Sequence, residues 1–220
     1  MKRMVLAPLL MLTLTLWAAP LLAQTEDIFI HFAGNGLEEG GFDWSDPGDE
    51  LNIIAIVTNI EFPPELSIPY NPDYEYTLVV TGLISNGEIV ESGASTIVYN
   101  MGAFALYEDT SPDASWDEAP AVGTPPASFT DGTLWLSGPF TDFIMWIVRD
   151  WAIGNFEGHI DLNGGSAFPS FPSTEAYTFG GALWPPHSPT IPPGYDVSID
   201  GEAWVIPTAE TTWTKVKGLY

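Results

Sequence analysis

Residues 156–162 read Phe-Glu-Gly-His-Ile-Asp-Leu and alternate strictly between apolar and polar positions. In an extended chain, successive side chains point to opposite faces, so this stretch has one apolar face and one polar face. The polar face carries three groups that can ionise, which are Glu157, His159 and Asp161. Residues 195–206 repeat the pattern, with Asp200 and Glu202 on the polar face. Both stretches are therefore predicted to be half-buried β-strands.

The rest of the chain has the composition of a β-protein. Its 21 glycines and 20 prolines cluster between runs rich in Thr, Val, Ile and aromatic residues. The sequence predicts an all-β fold, an antiparallel β-sandwich or barrel of about 8–10 strands with long Pro-rich loops. The predicted strands are 27–32, 51–60, 74–84, 88–99, 103–107, 133–136, 143–151, 155–162, 176–183 and 195–206.

Two turns are predicted between these strands. Asn86-Gly87 has the residue preference of a two-residue hairpin turn and would join 74–84 to 88–99. Gly154-Asn155 would turn the chain before the alternating strand. The preceding stretch, 143–151, also has apolar residues at helical spacing, so a helix remains an alternative there.

Both ends of the chain differ from the central part. Residues 1–23 combine Lys2 and Arg3 with an apolar run and a small residue at Ala23, the pattern of a secretory signal peptide. The alternative, an uncleaved anchor, requires an apolar run of about 20 residues, and this one is shorter. We predict a single β domain at 24–207 and a C-terminal tail at 208–220. The tail is either a docking segment or a frayed terminus.

The charge restricts the kinds of partner. The chain has 29 acidic and 5 basic residues, a net charge of −24, and no cysteine. A field of this sign repels phosphate backbones and disfavours nucleic acid, whereas glycans and cationic partners stay compatible with it. An export signal without cysteine predicts a secreted, extracellular or periplasmic protein that has no disulfides. No segment after the signal has the length and hydropathy of a membrane span.

The acidic strand faces allow three interpretations. If the two alternating strands were neighbours, their polar faces would form one cluster, namely Glu157, His159, Asp161, Asp200 and Glu202. Such a cluster could bind a cation, with Ca²⁺ as the expected ion because it accepts many oxygen ligands. Paired carboxylates could instead hydrolyse extracellular polysaccharide. The third interpretation is a solvated sheet face without further function.

Three tryptophans lie in acidic or Pro-rich loops and not in strand interiors: Trp44, Trp116 and Trp184. Aromatic rings stack on sugar faces, and flanking carboxylates accept hydrogen bonds from hydroxyl groups, so the three are candidate carbohydrate-binding residues. The alternative is that the rings hold the long loops against the fold. The predicted function is a non-enzymatic extracellular binding or structural module, and the polysaccharide hydrolase is the alternative.

Overall fold

A computed structural model describes residues 28–62, 67–117, 120–171, 177–184 and 191–205. The predicted signal peptide and C-terminal tail lie outside the described residues. No helix within these ranges has the length and hydropathy needed to cross a bilayer. The helical elements described are three single turns of 3₁₀ helix, at Ala127–Phe129, Arg149–Trp151 and Phe168–Ser170.

The described chain forms a closed antiparallel β-barrel, which confirms the predicted all-β class and selects the barrel over the sandwich. The first strand pairs with the last, so the sheet has no free edges there. The strands are β1 Ile28–Glu38, β2 Pro47–Ile60, β3 Glu75–Glu91, β4 Ala94–Asn100, β5 Ala103–Asp109, β6 Thr133–Val148, β7 Ile153–Ile160, β8 Tyr177–Trp184 and β9 Val197–Val205.

Nine strands fill eight positions in the wall because β4 and β5 share one position. Both strands pair with β3 on one side and with β6 on the other. Met101 and Gly102, both with positive φ, separate them. The two long strands β3 and β6 therefore span the full height of the barrel. The stretches 133–136 and 143–151, predicted as separate strands, both fall mainly in β6, which resolves the strand-or-helix alternative in favour of strand.

The two predicted turns are wrong. β3 continues through Asn86-Gly87, where the register with β4 shifts and Asn86 pairs with Pro47 of β2. The chain instead turns at Ser92-Gly93, where both residues have positive φ, as a two-residue I′ turn requires. Pairing with β2 and β4 thus overrides the local turn preference of Asn86-Gly87. Gly154 and Asn155 lie within β7, and the turn before it is the 3₁₀ segment ending at Ala152.

Packed side chains occupy the interior of the barrel. Phe179 of β8 is fully buried, and its ring stacks on Phe32 of β1 at a centroid distance of 4.6 Å. Further aromatic rings surround it from β5, β6 and β7: Phe104, Phe140, Phe143 and Phe156. This aromatic centre joins β1, β5, β6, β7 and β8 in the interior of the barrel.

The barrel has two ends. The first end carries the β1–β2 loop (residues 39–46), the β3–β4 turn and the β6–β7 turn. The second end carries the β2–β3 loop, the segment after β5 and the start of β6. The outer wall of β7, β8 and β9 lies between the two ends, and a cluster of polar side chains is buried at the first end.

Candidate functional site on the outer wall

The two alternating strands are not neighbours, because β8 lies between β7 and β9. Glu157 of β7 pairs with Gly180 of β8, and Gly180 pairs with Glu202 of β9. The two glutamates thus lie two strand spacings apart, roughly 9.5 Å between their Cα atoms. A glycine between two outward-facing carboxylates leaves a depression in the wall.

A groove of about 220 Å³ occupies this depression. Its lining combines the backbone of three glycines with two carboxylates and one indole: Gly180, Gly181, Gly201, Asp200, Glu202 and Trp204. Such a volume is smaller than the roughly 300–1,000 Å³ of pockets for drug-sized ligands. The groove therefore suits one small unit of a ligand, such as a single sugar ring.

Trp204 lies across β8 because Gly180 has no side chain. A Cβ atom at Gly180 would lie 3.2 Å from Cη2 of Trp204 and 3.1 Å from the carbonyl oxygen of Phe156. Both contacts are tighter than ordinary packing, so a larger residue would displace the indole. The glycine on β8 and the tryptophan on β9 together create the apolar side of the groove.

Trp204 was not among the predicted ligand-binding residues, although the sequence contains the signal for it. The alternation that places Asp200 and Glu202 on the outer face of β9 places Trp204 there as well. The role of Gly180 could not be predicted in this way, because the local sequence does not show that β8 pairs with β9.

The predicted cation ligands are distributed over several separate contacts. Glu202 Oε1 lies 3.1 Å from Nδ1 of His31 on β1. His159 Nδ1 lies 2.8 Å from Oδ1 of Asp142 on β6. Asp161 follows the end of β7 and is half-buried. Asp200 is exposed and is paired through the backbone with Ala33 and Ala182.

Within the described ranges, three acidic residues place carboxylate oxygens within 4.8 Å of one another, and none of the five predicted cation ligands is in this group. They are Asp109, Asp113 and Asp131, which lie near the second end of the barrel. Exposed acidic groups with such spacing are common on strongly acidic proteins, so we assign no ion to them. Cation binding by the five predicted residues stays a prediction.

The three predicted tryptophans lie in different surroundings. Trp44, in the β1–β2 loop, is 53% exposed, and Trp184, at the end of β8, is 37% exposed; both lie toward the first end. Trp116 is half-buried, and its ring lies 4.8 Å from Phe129 and 5.5 Å from Tyr195. These contacts hold the segment after β5 against the outer wall, which is the structural role that the sequence left open for this residue.

Comparison of the chain with protein-family models, with curated proteins and with solved structures finds no match.

Proposed function

We propose that this protein is a secreted binding protein that holds a neutral carbohydrate unit in the groove on β8 and β9. The observation that carries the proposal is the indole of Trp204 beside the carboxylates of Asp200 and Glu202 in one depression. An aromatic plane packs against the apolar face of a sugar ring, and carboxylates accept hydrogen bonds from its hydroxyl groups. The glycine floor lets the ring approach the backbone closely.

The charge of the chain supports a neutral ligand. A net charge of −24 disfavours uronic acids and sulfated glycans by long-range repulsion. Asp200 and Glu202 add the same sign locally, so anionic sugars would meet repulsion inside the groove as well.

The hydrolase alternative has less support from the geometry. Glu157 and Glu202 lie on either side of Gly180 on the convex outer wall, where the side chains of neighbouring strands diverge. Glu202 is in addition paired with His31. Glycoside hydrolysis needs two carboxyl groups that converge on one bond, at a separation of roughly 5–9.5 Å.

Replacing Trp204 with alanine is expected to weaken the binding of neutral oligosaccharides at least tenfold, because the stacking surface is lost. Binding is measured by calorimetry across a panel of neutral oligosaccharides, with uronic-acid oligomers as the anionic comparison. Trp184→Ala is the matched control, because it removes an exposed tryptophan outside the groove, and it should bind as the wild type does.

Three outcomes of this experiment would contradict the proposal. Equal loss in both tryptophan variants would show that binding is not confined to the groove, and absence of binding by the wild type across the panel would exclude neutral-carbohydrate binding. Release of new reducing ends during incubation, abolished in Glu157→Gln, would favour the hydrolase.

A further inference from the structure

A cluster of polar side chains is buried inside the first end of the barrel. Glu38, the last residue of β1, is 1% exposed. Its Oε1 accepts hydrogen bonds from Ser45 Oγ at 2.5 Å and from the Tyr99 hydroxyl at 3.2 Å. Among the described residues, its Oε2 has no hydrogen-bond partner. A carboxyl group with one satisfied and one bare oxygen is unusual in a protein interior.

The donors toward Glu38 form a chain that begins in the backbone of β3. The Gly87 N–H donates to Ser85 Oγ at 2.9 Å, and the hydroxyls of Ser85 and Ser45 lie 2.7 Å apart. Because the Ser45 proton is directed to Glu38, the Ser85 hydroxyl is the donor to Ser45. This series of hydrogen bonds therefore ends at Oε1, which also accepts from Tyr99, and no described donor reaches Oε2.

Ser45 belongs to the β1–β2 loop, so Glu38 is one of the attachments of this loop to the barrel. Further attachments are the Ser45 carbonyl, which accepts from Glu88 N at 2.9 Å, and the Phe42 carbonyl, which accepts from Arg149 Nη1 at 2.8 Å. The Ser45 N–H also donates to Glu88 Oε2 at 3.4 Å, and the Glu39 N–H donates to the Glu50 carbonyl at 2.9 Å. Phe42 itself is buried. The loop is therefore attached over Glu38 by a few separate hydrogen bonds and by the buried Phe42 ring, whereas continuous backbone ladders hold the wall around it.

Ionisation of Glu38 is costly in this closed arrangement. A bare carboxylate oxygen in an apolar interior loses its hydration without compensation, whereas the neutral acid loses far less. Water can supply the missing donors if the loop lifts, because the loop has fewer backbone contacts than the strands.

We propose that Glu38 is a proton-controlled latch, which closes the β1–β2 loop over the barrel end when neutral and releases it when ionised.

The charged and titratable groups around the latch act in both directions. The pKa of Glu38 is raised from 4.5 to about 7, mainly by burial and in smaller part by Asp49, while the hydrogen bonds from Ser45 and Tyr99 and the charge of Arg149 act to lower it. Asp196 accepts a hydrogen bond from Glu38 N through Oδ2, and burial raises its pKa too. Asp49, Tyr99, Arg149 and Asp196 act directly on Glu38 or on its backbone N–H, and Glu88 lies beside Tyr99 and Arg149.

The direction of the pH effect follows from this pKa. The closed state binds the proton more tightly than the open state, so closure is complete at acid pH and is lost as the pH rises toward 7. With a pKa of about 7 in the closed state and the ordinary glutamate value of 4.5 for a solvated carboxyl in the open state, the opening equilibrium should grow about 70-fold between pH 5 and pH 8.

Hydrogen exchange of the amides in residues 39–46, corrected for the intrinsic pH dependence of exchange, tests the latch. The wild type should show the 70-fold rise, whereas Glu38→Gln, which stays neutral, should show none. Glu91→Gln, an exposed acidic residue beside the β3–β4 turn, is the matched control and should behave as the wild type.

A flat profile in the wild type, or the same rise in Glu38→Gln, would overturn the proposal. A carboxyl-¹³C titration of Glu38 in the wild type provides a second test that does not depend on folding of the variant. Its midpoint should coincide with the midpoint of loop opening, and separate midpoints would also overturn the latch.

Discussion

Arg149→Met is expected to lower the free energy of unfolding by about 3 kcal/mol, at the lower end of the range for breaking a buried ion pair. The Arg149 guanidinium donates from Nε to Glu88 Oε1 at 2.7 Å and from Nη2 to Glu88 Oε2. The Glu88 side chain is fully buried, while that of Arg149 is 28% exposed. The loss arises because methionine leaves the Glu88 carboxylate buried and unpaired. Urea unfolding followed by tryptophan fluorescence measures it.

The pH dependence of this loss distinguishes the ion pair from simple packing. Burial alone would raise the pKa of Glu88, but hydrogen bonds from Arg149 and Ser95 and the charge of Arg149 hold it below its ordinary value. Because the folded-state pKa is depressed, the stabilisation is present above the ordinary glutamate pKa and is lost as the pH falls. The deficit of Arg149→Met should therefore be large at pH 7 and smaller near pH 4.

Two further variants complete the Arg149 experiment. Arg149→Met/Glu88→Met removes both charges and should recover part of the stability, since no carboxylate is then left unpaired. Asp150→Asn changes an exposed neighbour in the same turn and should leave stability unchanged. A deficit that is constant with pH, or a double variant weaker than the single one, would show that packing of the arginine side chain dominates.

Phe179→Ala is expected to lower the free energy of unfolding by about 4 kcal/mol. Phe179 is fully buried at the centre of the barrel, where it stacks on Phe32 and contacts rings from three other strands. Alanine removes the hydrophobic contacts and leaves a cavity that a closed barrel can collapse around only partly. Thermal or urea unfolding gives the change directly.

Phe179→Leu is the matched control because it keeps most of the buried volume, and its loss of stability should be clearly smaller. Trp146→Ala removes a larger aromatic side chain from the outer wall, where it is 38% exposed, and should also cost less than Phe179→Ala. Equal losses for the inner and outer aromatic residues would contradict the assignment of Phe179 to the centre of the core.

Local pattern was enough to predict most of the strands and their faces. Residues 156–162 and 195–206 alternate so regularly that burial of one face follows from the period-two geometry of a strand. The turn at Asn86-Gly87 shows where this reasoning fails. Its dipeptide preference is local, but the backbone of β3 pairs with β2 and β4 on either side of it, and those pairings decide where the chain turns.

Only the β9 side of the candidate groove could be predicted from the sequence. Asp200, Glu202 and Trp204 share one face of β9 by alternation alone. That they surround a depression depends on Gly180, which arrives from a separate strand through backbone pairing. The burial of Glu38 was even less visible in the sequence. Glu38 is followed by Glu39 and an acidic loop, a local sequence that is typical of solvent-exposed residues. Closure of the barrel is what places it inside.

By itself, the sequence determined the all-β class, the alternation of strand faces and the strongly acidic character of the chain. Each of these depends on side-chain chemistry and on spacings of a few residues. The tertiary structure alone decided that β8 separates the two alternating strands, that Trp204 lies over Gly180 and that Glu38 is buried with a bare oxygen. These features depend on which distant strands pair when the barrel closes. The spacing of residues along the chain does not show which strands will pair.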